Sequence, residues 1–240
     1  MKKIVFVFTA LVFTTASFAQ NKKNTSKADM VKTAGDHLMI QLNTNHWGGA
    51  PDSIANHKKG LARGANIYVM MNKPFKNNPK LSAAYGIGFG TSNMYFKNYN
   101  VDIKSTATKL PFIALDSADH FKKYKVTTAF FEVPVELRFV KDPSRNNKSF
   151  KAAIGVKVGT LLNVHTKGKT LLNKSGSTVN TYTDKITNKR FFNSTRLSAT
   201  GRVGLGNYSL YGSYQITTLL KDGVGPQIHP FEIGFCISGL

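Results

Sequence analysis

The connections between the apolar-alternating segments of this chain alternate in length from one end to the other. Three connections are tight, at 72–80, 141–149 and 205–208. A soluble sandwich has no reason to sort its loops in this way. A barrel that crosses the bacterial outer membrane does, because its short turns face the periplasm and its longer loops face outside. The four long connections are 47–62, 92–123, 166–194 and 219–229.

The segments themselves alternate between apolar and polar side chains, as strands with two different faces do. In the fourth segment, odd positions from Ala129 to Phe139 are apolar, whereas Glu132, Glu136 and Arg138 lie on the other face. The apolar face is rich in aromatic residues, which favours contact with lipid and leaves the polar face to form the interior. Aromatic residues near strand ends, including Trp47 and Tyr124, are candidates for the girdles at the membrane interfaces. The eight segments are 38–47, 63–72, 81–91, 124–140, 150–165, 195–205, 208–218 and 230–239.

This pattern predicts an all-β fold, an eight-stranded antiparallel transmembrane β-barrel of OmpA-like or OmpX-like size. Lipid cannot satisfy unpaired strand edges, so the barrel is expected to be closed. One face of the third segment runs from Ser82 to Gly90 and holds only Gly, Ala and Ser. Such a bare face suits a narrow interior in which neighbouring strands carry the bulk. A secreted, soluble, lipocalin-like barrel is the alternative fold, with its apolar face turned inward.

The first residues have the pattern of a signal peptide, predicted to cover 1–19. Lys2 and Lys3 precede an apolar run that is too short for a spanning helix, and Ala19 ends a small-x-small cleavage pattern. Residues 20–36 are polar and basic and are predicted to form a flexible periplasmic segment. The barrel domain is then expected to occupy 37–240. The single cysteine, Cys236, has no partner for an internal disulfide.

The chain is strongly basic, with 33 Lys and Arg against 12 Asp and Glu. Nucleic acid is not an expected partner of a secreted chain, and the basic residues fall mostly in the loops and the N-terminal segment. The phosphates of outer-leaflet lipopolysaccharide fit better. A docking surface for another protein, such as a component of a secretion machinery, is the alternative. The candidate surface in the third long loop consists of Lys167, Lys169, Lys174, Lys185, Lys189 and Arg190.

The polar face of the strands carries charges of both signs, and buried charges must be paired and hydrogen-bonded to be tolerated. We therefore predict a plugged lumen that is filled by an ion-pair network. An open pore is not expected, because eight strands leave room only for side chains. The predicted members of the network are Glu132, Glu136, Arg138, Lys157, Arg196, Arg202 and Glu232.

No motif identifies a catalytic, cofactor-binding or metal-binding residue. A nucleophile needs an adjacent base that is oriented by a third group, and His165 near Ser194 is the nearest approach to such a pair. We expect a non-enzymatic, monomeric protein with a structural or accessory role and no cofactor. An outer-membrane lipid-modifying enzyme is the less favoured alternative.

Three stretches resemble the PorT-type outer-membrane β-barrel family of Bacteroidetes. They are the Ala-Ser-Phe-Ala-Gln stretch at 16–20, the Glu-x-Pro strand from Phe131 to Arg138, and the strand from Gly155 to Leu162 that follows it. The resemblance implies a barrel fold and an outer-membrane location. It also implies, as a possible role, an accessory function in type IX secretion.

Overall fold

The computed structural model describes residues 38–239, so the predicted signal peptide and N-terminal segment lie outside the described residues. Within 38–239 the chain forms eleven strands, one short helix (α1, Asp52–Ala55) and one 3₁₀ helix (Pro143–Lys148). None of the helices in this range is both long and apolar enough to cross a membrane. The strands are β1 (Leu38–Gly48), β2 (Arg63–Phe75), β3 (Asn78–Phe96), β4 (Tyr99–Val101), β5 (Phe112–Ala114), β6 (His120–Val140), β7 (Phe150–Leu172), β8 (Thr178–Thr187), β9 (Thr195–Leu205), β10 (Tyr208–Gln215) and β11 (His229–Ser238).

Eight of these strands close into an antiparallel barrel in the order β1-β2-β3-β6-β7-β9-β10-β11, and β11 pairs back with β1. They correspond to the eight segments predicted from the alternating pattern, so the predicted fold class is confirmed. The other three strands belong to the long loops. β4 pairs with β5, and β8 pairs with the last part of β7, residues 165–172, to form a hairpin.

The two ends of the barrel differ as the connection lengths predict. At the short-turn end, β2 and β3 are joined by two residues, as are β9 and β10, where Gly206 has a φ of 58°. The 3₁₀ helix between β6 and β7 begins after Asp142, whose side chain accepts a hydrogen bond from the Ser144 amide. The turn within the predicted connection at 72–80 is shorter than expected, because Asn78 and Pro79 already belong to β3.

The barrel is apolar outside and charged inside. Leu42 on β1 is 58% exposed and Phe235 on β11 is 69% exposed, whereas Glu132 on β6 is 0% exposed. A soluble barrel needs the opposite arrangement, because exposed apolar surface is unfavourable in water and favourable in lipid. The lipocalin-like alternative is therefore wrong.

The bare inner face of β3 accommodates larger side chains from both neighbouring strands. Gly88 lies directly between Tyr68 of β2 and Glu132 of β6. A Cβ atom at Gly90 would lie 2.2 Å from the Glu132 Oε2 atom and 2.9 Å from the Asn66 Oδ1 atom. These distances are too short for van der Waals contact, so the glycines of β3 provide the space in which the larger side chains meet.

Pro134 lies in β6 in regular register with Lys157 of β7. The bulge in the β6–β7 ladder lies on β7, where Leu162 is the extra residue opposite the step from Ala129 to Phe130, and Pro134 lies outside it. Between β3 and β6, Tyr85 pairs with Val135 and Gly88 pairs with Glu132, but the two positions between these pairs are not paired. The proline, which has no N–H to donate, thus lies where the β3–β6 ladder is interrupted.

The long loops pack together over their end of the barrel around an apolar cluster, which we call the cap. Trp47 and Tyr124, which the sequence suggests as lipid-facing aromatics at strand ends, lie inside this cluster instead. Their parity places them on the inner face, where the loops cover them. The buried members of the cap are Trp47, Ile54, Ala62, Met94, Phe96, Tyr99, Val101, Ile103, Leu110, Tyr124, Val126, Phe130, Leu161, Val164, Phe191, Phe192, Leu219, Leu220 and Ile228.

Candidate functional site

The structure places all seven predicted lumen charges on the inner face of the barrel, in two groups. The group nearer the cap, the upper layer, consists of Glu132, Lys157, Arg196 and Glu232, and all four are buried. The group nearer the short turns, the lower layer, consists of Glu136, Arg138 and Arg202. Salt bridges join the members within each group.

Glu132 is the centre of the upper layer. Its Oε1 atom accepts a hydrogen bond of 2.7 Å from Arg196 Nε and lies 3.8 Å from Lys157 Nζ. Its Oε2 atom accepts a hydrogen bond of 2.7 Å from the Tyr68 hydroxyl. Both carboxylate oxygens thus have partners, as a charge with no contact to water requires. The Arg196 guanidinium also stacks on the Phe130 ring at 4.2 Å, which connects the upper layer to the cap.

Glu232 completes the upper layer from β11. Its Oε2 atom accepts hydrogen bonds from Lys157 Nζ and the Tyr211 hydroxyl, each at 3.3 Å. The amides of Asn66 and Asn43 donate to the same oxygen, at 3.2 and 3.3 Å. The layer therefore contains two carboxylates and two cations and is formally neutral.

The lower layer is organised around the Glu136 Oε2 atom. Arg138 Nε donates to it at 2.9 Å and Arg202 Nη2 donates at 3.0 Å. Arg202 also donates through Nη1 to the Ser238 hydroxyl at 3.1 Å, which links β9 to β11. Arginine suits this position because its planar guanidinium can donate to several acceptors at once.

The pattern of charged residues does not predict several members of the network, because their side chains are uncharged. Tyr68 and Tyr211 lie on the inward parity of β2 and β10, and their hydroxyls contact Glu132 and Glu232. Strand parity alone would have identified both tyrosines. An apolar cluster fills the lumen beside the lower layer; it consists of Met39, Tyr68, Met70, Ala84, Tyr211 and Cys236.

Two small cavities lie within the lumen. One, of about 10 Å³, lies between Arg196 of the upper layer and the Leu219 side chain of the cap. The other, of about 40 Å³, lies near Arg138 and Arg202 at the short-turn mouth. A water molecule needs roughly 10–15 Å³, so these spaces have room for one water or a few at most.

Backbone and side-chain hydrogen bonds between different loops hold the cap together. The Leu110 amide donates to the Val224 carbonyl at 2.7 Å, and Arg190 donates to the Ser105 and Thr106 carbonyls. Near the first long loop, His57 Nε2 lies 3.3 Å from Asp116 Oδ2. This contact with His57 is the main reason that the pKa of the Asp116 carboxyl is lowered.

The predicted basic surface divides into separate parts. Lys167, Lys169 and Lys185 lie on the outward face of the β7–β8 hairpin. Lys174 lies at the tip of this hairpin, and Lys189 is exposed in the following loop. Arg190 is used within the cap, where its guanidinium also stacks on the Phe191 ring at 5.3 Å. The six residues therefore do not form one continuous surface.

His165 and Ser194 are not brought together as a catalytic pair. The His165 Nδ1 atom lies 2.9 Å from Asn163 Oδ1, and the Ser194 carbonyl accepts from the Leu161 amide. Between residues 38 and 239, no hydrogen bond joins His165 to Ser194. In the same range no group of three or more His, Cys, Asp or Glu side chains is placed to hold a metal ion.

A closed eight-stranded barrel with an apolar outer surface and a charged, paired interior defines the class of outer-membrane β-barrel proteins. Comparison with known families agrees: residues 18–218 match the family described as outer membrane protein beta-barrel domain. The match covers most of the chain. The protein belongs to this family and is located in the cell outer membrane, as predicted.

Solved structures with a similar fold include two of Ail, the attachment invasion locus protein of Yersinia pestis. One is of the complex with the heparin analogue sucrose octasulfate, with 13% identity and a TM-score of 0.34. The other is of Ail alone, with 12% identity and a TM-score of 0.31. Each comparison covers 84% of this chain and 96% of Ail. No protein with a curated description matches the chain.

Proposed function

We propose that this protein is a non-enzymatic, non-conducting outer-membrane barrel with a structural or accessory role, whose long loops carry exposed basic side chains outside the cell. The observation that carries this proposal is the double closure of the lumen. Two layers of paired charges fill the interior, and the cap covers the mouth at the long-loop end. The orientation follows the general rule that short turns face the periplasm.

The absence of a conducting path is supported by the size of the two internal cavities, about 10 and 40 Å³. An ion that crosses the lumen would have to displace the bonds between Glu132 and Arg196 or between Glu136 and Arg202. These charge-assisted hydrogen bonds are stronger than neutral ones, and each break would leave buried charges unpaired. The lumen is therefore a rigid scaffold for the loops.

Conductance in planar lipid bilayers tests this proposal. The wild-type barrel is expected to insert without discrete channel openings. The double variant E132Q/R196Q is compared with the wild type. It removes one charge of each sign from the upper layer and so leaves the net charge of the lumen unchanged. Heat-dependent migration in detergent gels serves as the control that each protein is folded. Stable, stepwise openings of the folded wild-type barrel at low voltage would contradict a plugged lumen.

An accessory role in type IX secretion is the second candidate function. The resemblance of the strand from Phe131 to Arg138 to the PorT-type barrels supports it. Comparing secreted and outer-membrane proteins of a deletion strain with those of the parent tests it. Loss of a defined set of secreted proteins, restored by the wild-type gene, would favour the secretion role, and an unchanged set would favour a purely structural barrel.

A further inference from the structure

Five lysines form two adjacent rows on the outward face of β6, β7 and β8, just beyond the apolar band. In one row Lys125 pairs with Lys167, which in turn pairs with Lys185. In the next row Lys123 pairs with Lys169. Like charges placed directly opposite each other on neighbouring strands are destabilising. The fold therefore maintains a concentration of positive charge at this place.

Nothing in the described chain compensates this charge. Between residues 38 and 239, no carboxylate lies within 4.0 Å of any of the five ammonium groups. Asp184, which lies between rows on β8, alternates to the opposite face of the hairpin from Lys185. Lys125 is held in place, since its Nζ atom donates to Asn93 Oδ1 at 2.6 Å and lies over the Tyr95 ring. Three of the lysines are exposed and two are half-buried.

The lysine rows lie beyond the apolar band, toward the long-loop end of the barrel. An aromatic pair of the apolar band below these rows is Phe89 of β3 and Phe131 of β6, whose rings are 5.6 Å apart. Lys125 precedes Phe131 by six residues on β6 and is therefore nearer to the cap. At about 3.4 Å per residue and a tilt of about 40°, this is roughly 15 Å above the aromatic pair.

A row of neutral polar groups lies between the aromatic pair and the lysines. It contains Asn93, Thr127, His165 and Thr187, which are directly opposite one another on four strands. Hydroxyl, amide and imidazole groups are suited to hydrogen bonds with sugar hydroxyls. Along the strand, the surface therefore changes from apolar, to neutral polar, to cationic. In lipopolysaccharide, the acyl chains are attached to sugars that carry the phosphates directly, so polar and cationic groups above an apolar band match both parts of the molecule.

We propose that the five lysines are a binding site for the phosphate groups of a lipopolysaccharide molecule seated against the β6–β7–β8 side of the barrel. This inference rests on the proposed orientation of the long loops. The site differs from the basic surface predicted from the sequence, because it includes Lys123 and Lys125 and omits Lys174, Lys189 and Arg190. The acyl chains would contact the apolar band below, and the two lysine rows would contact the phosphates.

Binding of purified deep-rough lipopolysaccharide to the barrel in zwitterionic micelles tests the site. The variant K125Q/K167Q/K185Q is compared with K73Q/K76Q/K80Q, which removes the same charge from the short-turn end. The first triple variant is expected to bind at least roughly tenfold more weakly, since each lysine near an anionic lipid surface contributes severalfold. The control is expected to bind like the wild type. Removing the phosphates from the lipopolysaccharide should weaken wild-type binding to a similar extent.

The unfolding midpoint of each variant separates a binding role from a structural one. Because the rows are self-repelling, K125Q/K167Q/K185Q should unfold at an equal or higher denaturant concentration while its affinity falls. Equal affinity of both triple variants, equal binding of dephosphorylated lipopolysaccharide, or equal competition by phosphatidylglycerol vesicles would overturn the proposal. Conductance measured on the same samples distinguishes the two proposals. If the barrel does not conduct and its affinity for lipopolysaccharide does not depend on the lysines, the binding site is contradicted and the proposed function is not.

Discussion

The lumen and the cap of this barrel follow opposite rules of burial, although the same strands build both. In the lumen the inward side chains of β6 are charged, as at Glu132 and Glu136, and the outward ones are apolar. Beyond Phe130 the inward residues Val126 and Tyr124 are apolar and belong to the cap, and Lys125 faces outward. Both faces change polarity without a change of parity. The strands are surrounded by lipid at the level of the lumen and by water at the level of the cap, which explains the inversion. The position of the inversion on the strands indicates where the membrane ends.

The largest effect is expected from breaking the lumen at its centre. Glu132→Ala removes the acceptor for Arg196, Lys157 and Tyr68 and leaves two buried cations with one carboxylate. Loss of one partner of a buried pair costs about 3–5 kcal/mol. We expect a loss of this size in the free energy of unfolding, measured by urea titration of the barrel in lipid vesicles.

Asp142→Asn is the control for this change, because Asp142 also binds an arginine, Arg145, at 2.8 Å, but in an exposed turn. An exposed pair contributes at most about 1 kcal/mol, so this variant should unfold close to the wild type. Equal effects of the two substitutions would show that the upper layer is not sealed from water, and that the contrast between lumen and cap is weaker than the geometry indicates.

An intermediate and more local effect is expected from the cap. Leu220 is 2% exposed and lies in the cap cluster, where Phe192 of another loop pairs with it through an isolated bridge. Leu220→Ala creates a cavity that costs about 2–5 kcal/mol in an ordinary core. Because the cap consists of loops, we expect part of this loss to appear as local opening.

Amide hydrogen exchange by mass spectrometry distinguishes local from global effects. In Leu220→Ala, exchange should rise in the loops that contain Leu110 and Phe192 and stay low in the barrel strands. A uniform rise through the strands would mean that cap and barrel unfold as one unit. Leu210→Ala, which removes a lipid-facing leucine from β10 that is 57% exposed, controls for the loss of apolar volume.

The contrast between the two regions also explains how much could be predicted from the sequence. Strand parity and loop length identified the eight strands, their inner and outer faces and all seven lumen charges, because lipid imposes a period of two over whole segments. The cap was missed, since residues such as Ile54 and Phe191 come from separate loops and have no common period. The inward Trp47 and Tyr124 were assigned to the lipid interface because aromatic residues are frequent there.

The lysine rows on β6–β8 show a second limit of sequence reasoning. Lys125 and Lys167 are 42 positions apart, and only the register of β6 and β7 places them opposite each other. A count of basic residues in one loop therefore included Arg190, which binds backbone carbonyls in the cap, and omitted Lys125. Residues of one site on a sheet come from different strands, and register is not visible in a linear pattern.

The smallest effect is expected from pH and concerns only the cap. The Asp116 carboxylate accepts from the Asn98 amide at 3.4 Å and lies 3.3 Å from His57 Nε2, so its pKa is lowered, mainly by the bond with His57. A carboxyl whose pKa is lowered in the folded state contributes stability that is complete above its unfolded pKa, about 4, and is lost as the pH falls through the lower folded value.

Acidification from pH 5 to pH 3 should therefore loosen the contact between the first two long loops, although the effect is modest because the Asp116 side chain is 62% exposed. Hydrogen exchange in the loops that carry His57 and Asp116, corrected for its intrinsic pH dependence, should rise in the wild type. It should not rise further in Asp116→Asn, which cannot lose this charge. The same acid response in both proteins would assign the change to other carboxyls, and the contact between these loops would then depend on apolar packing alone.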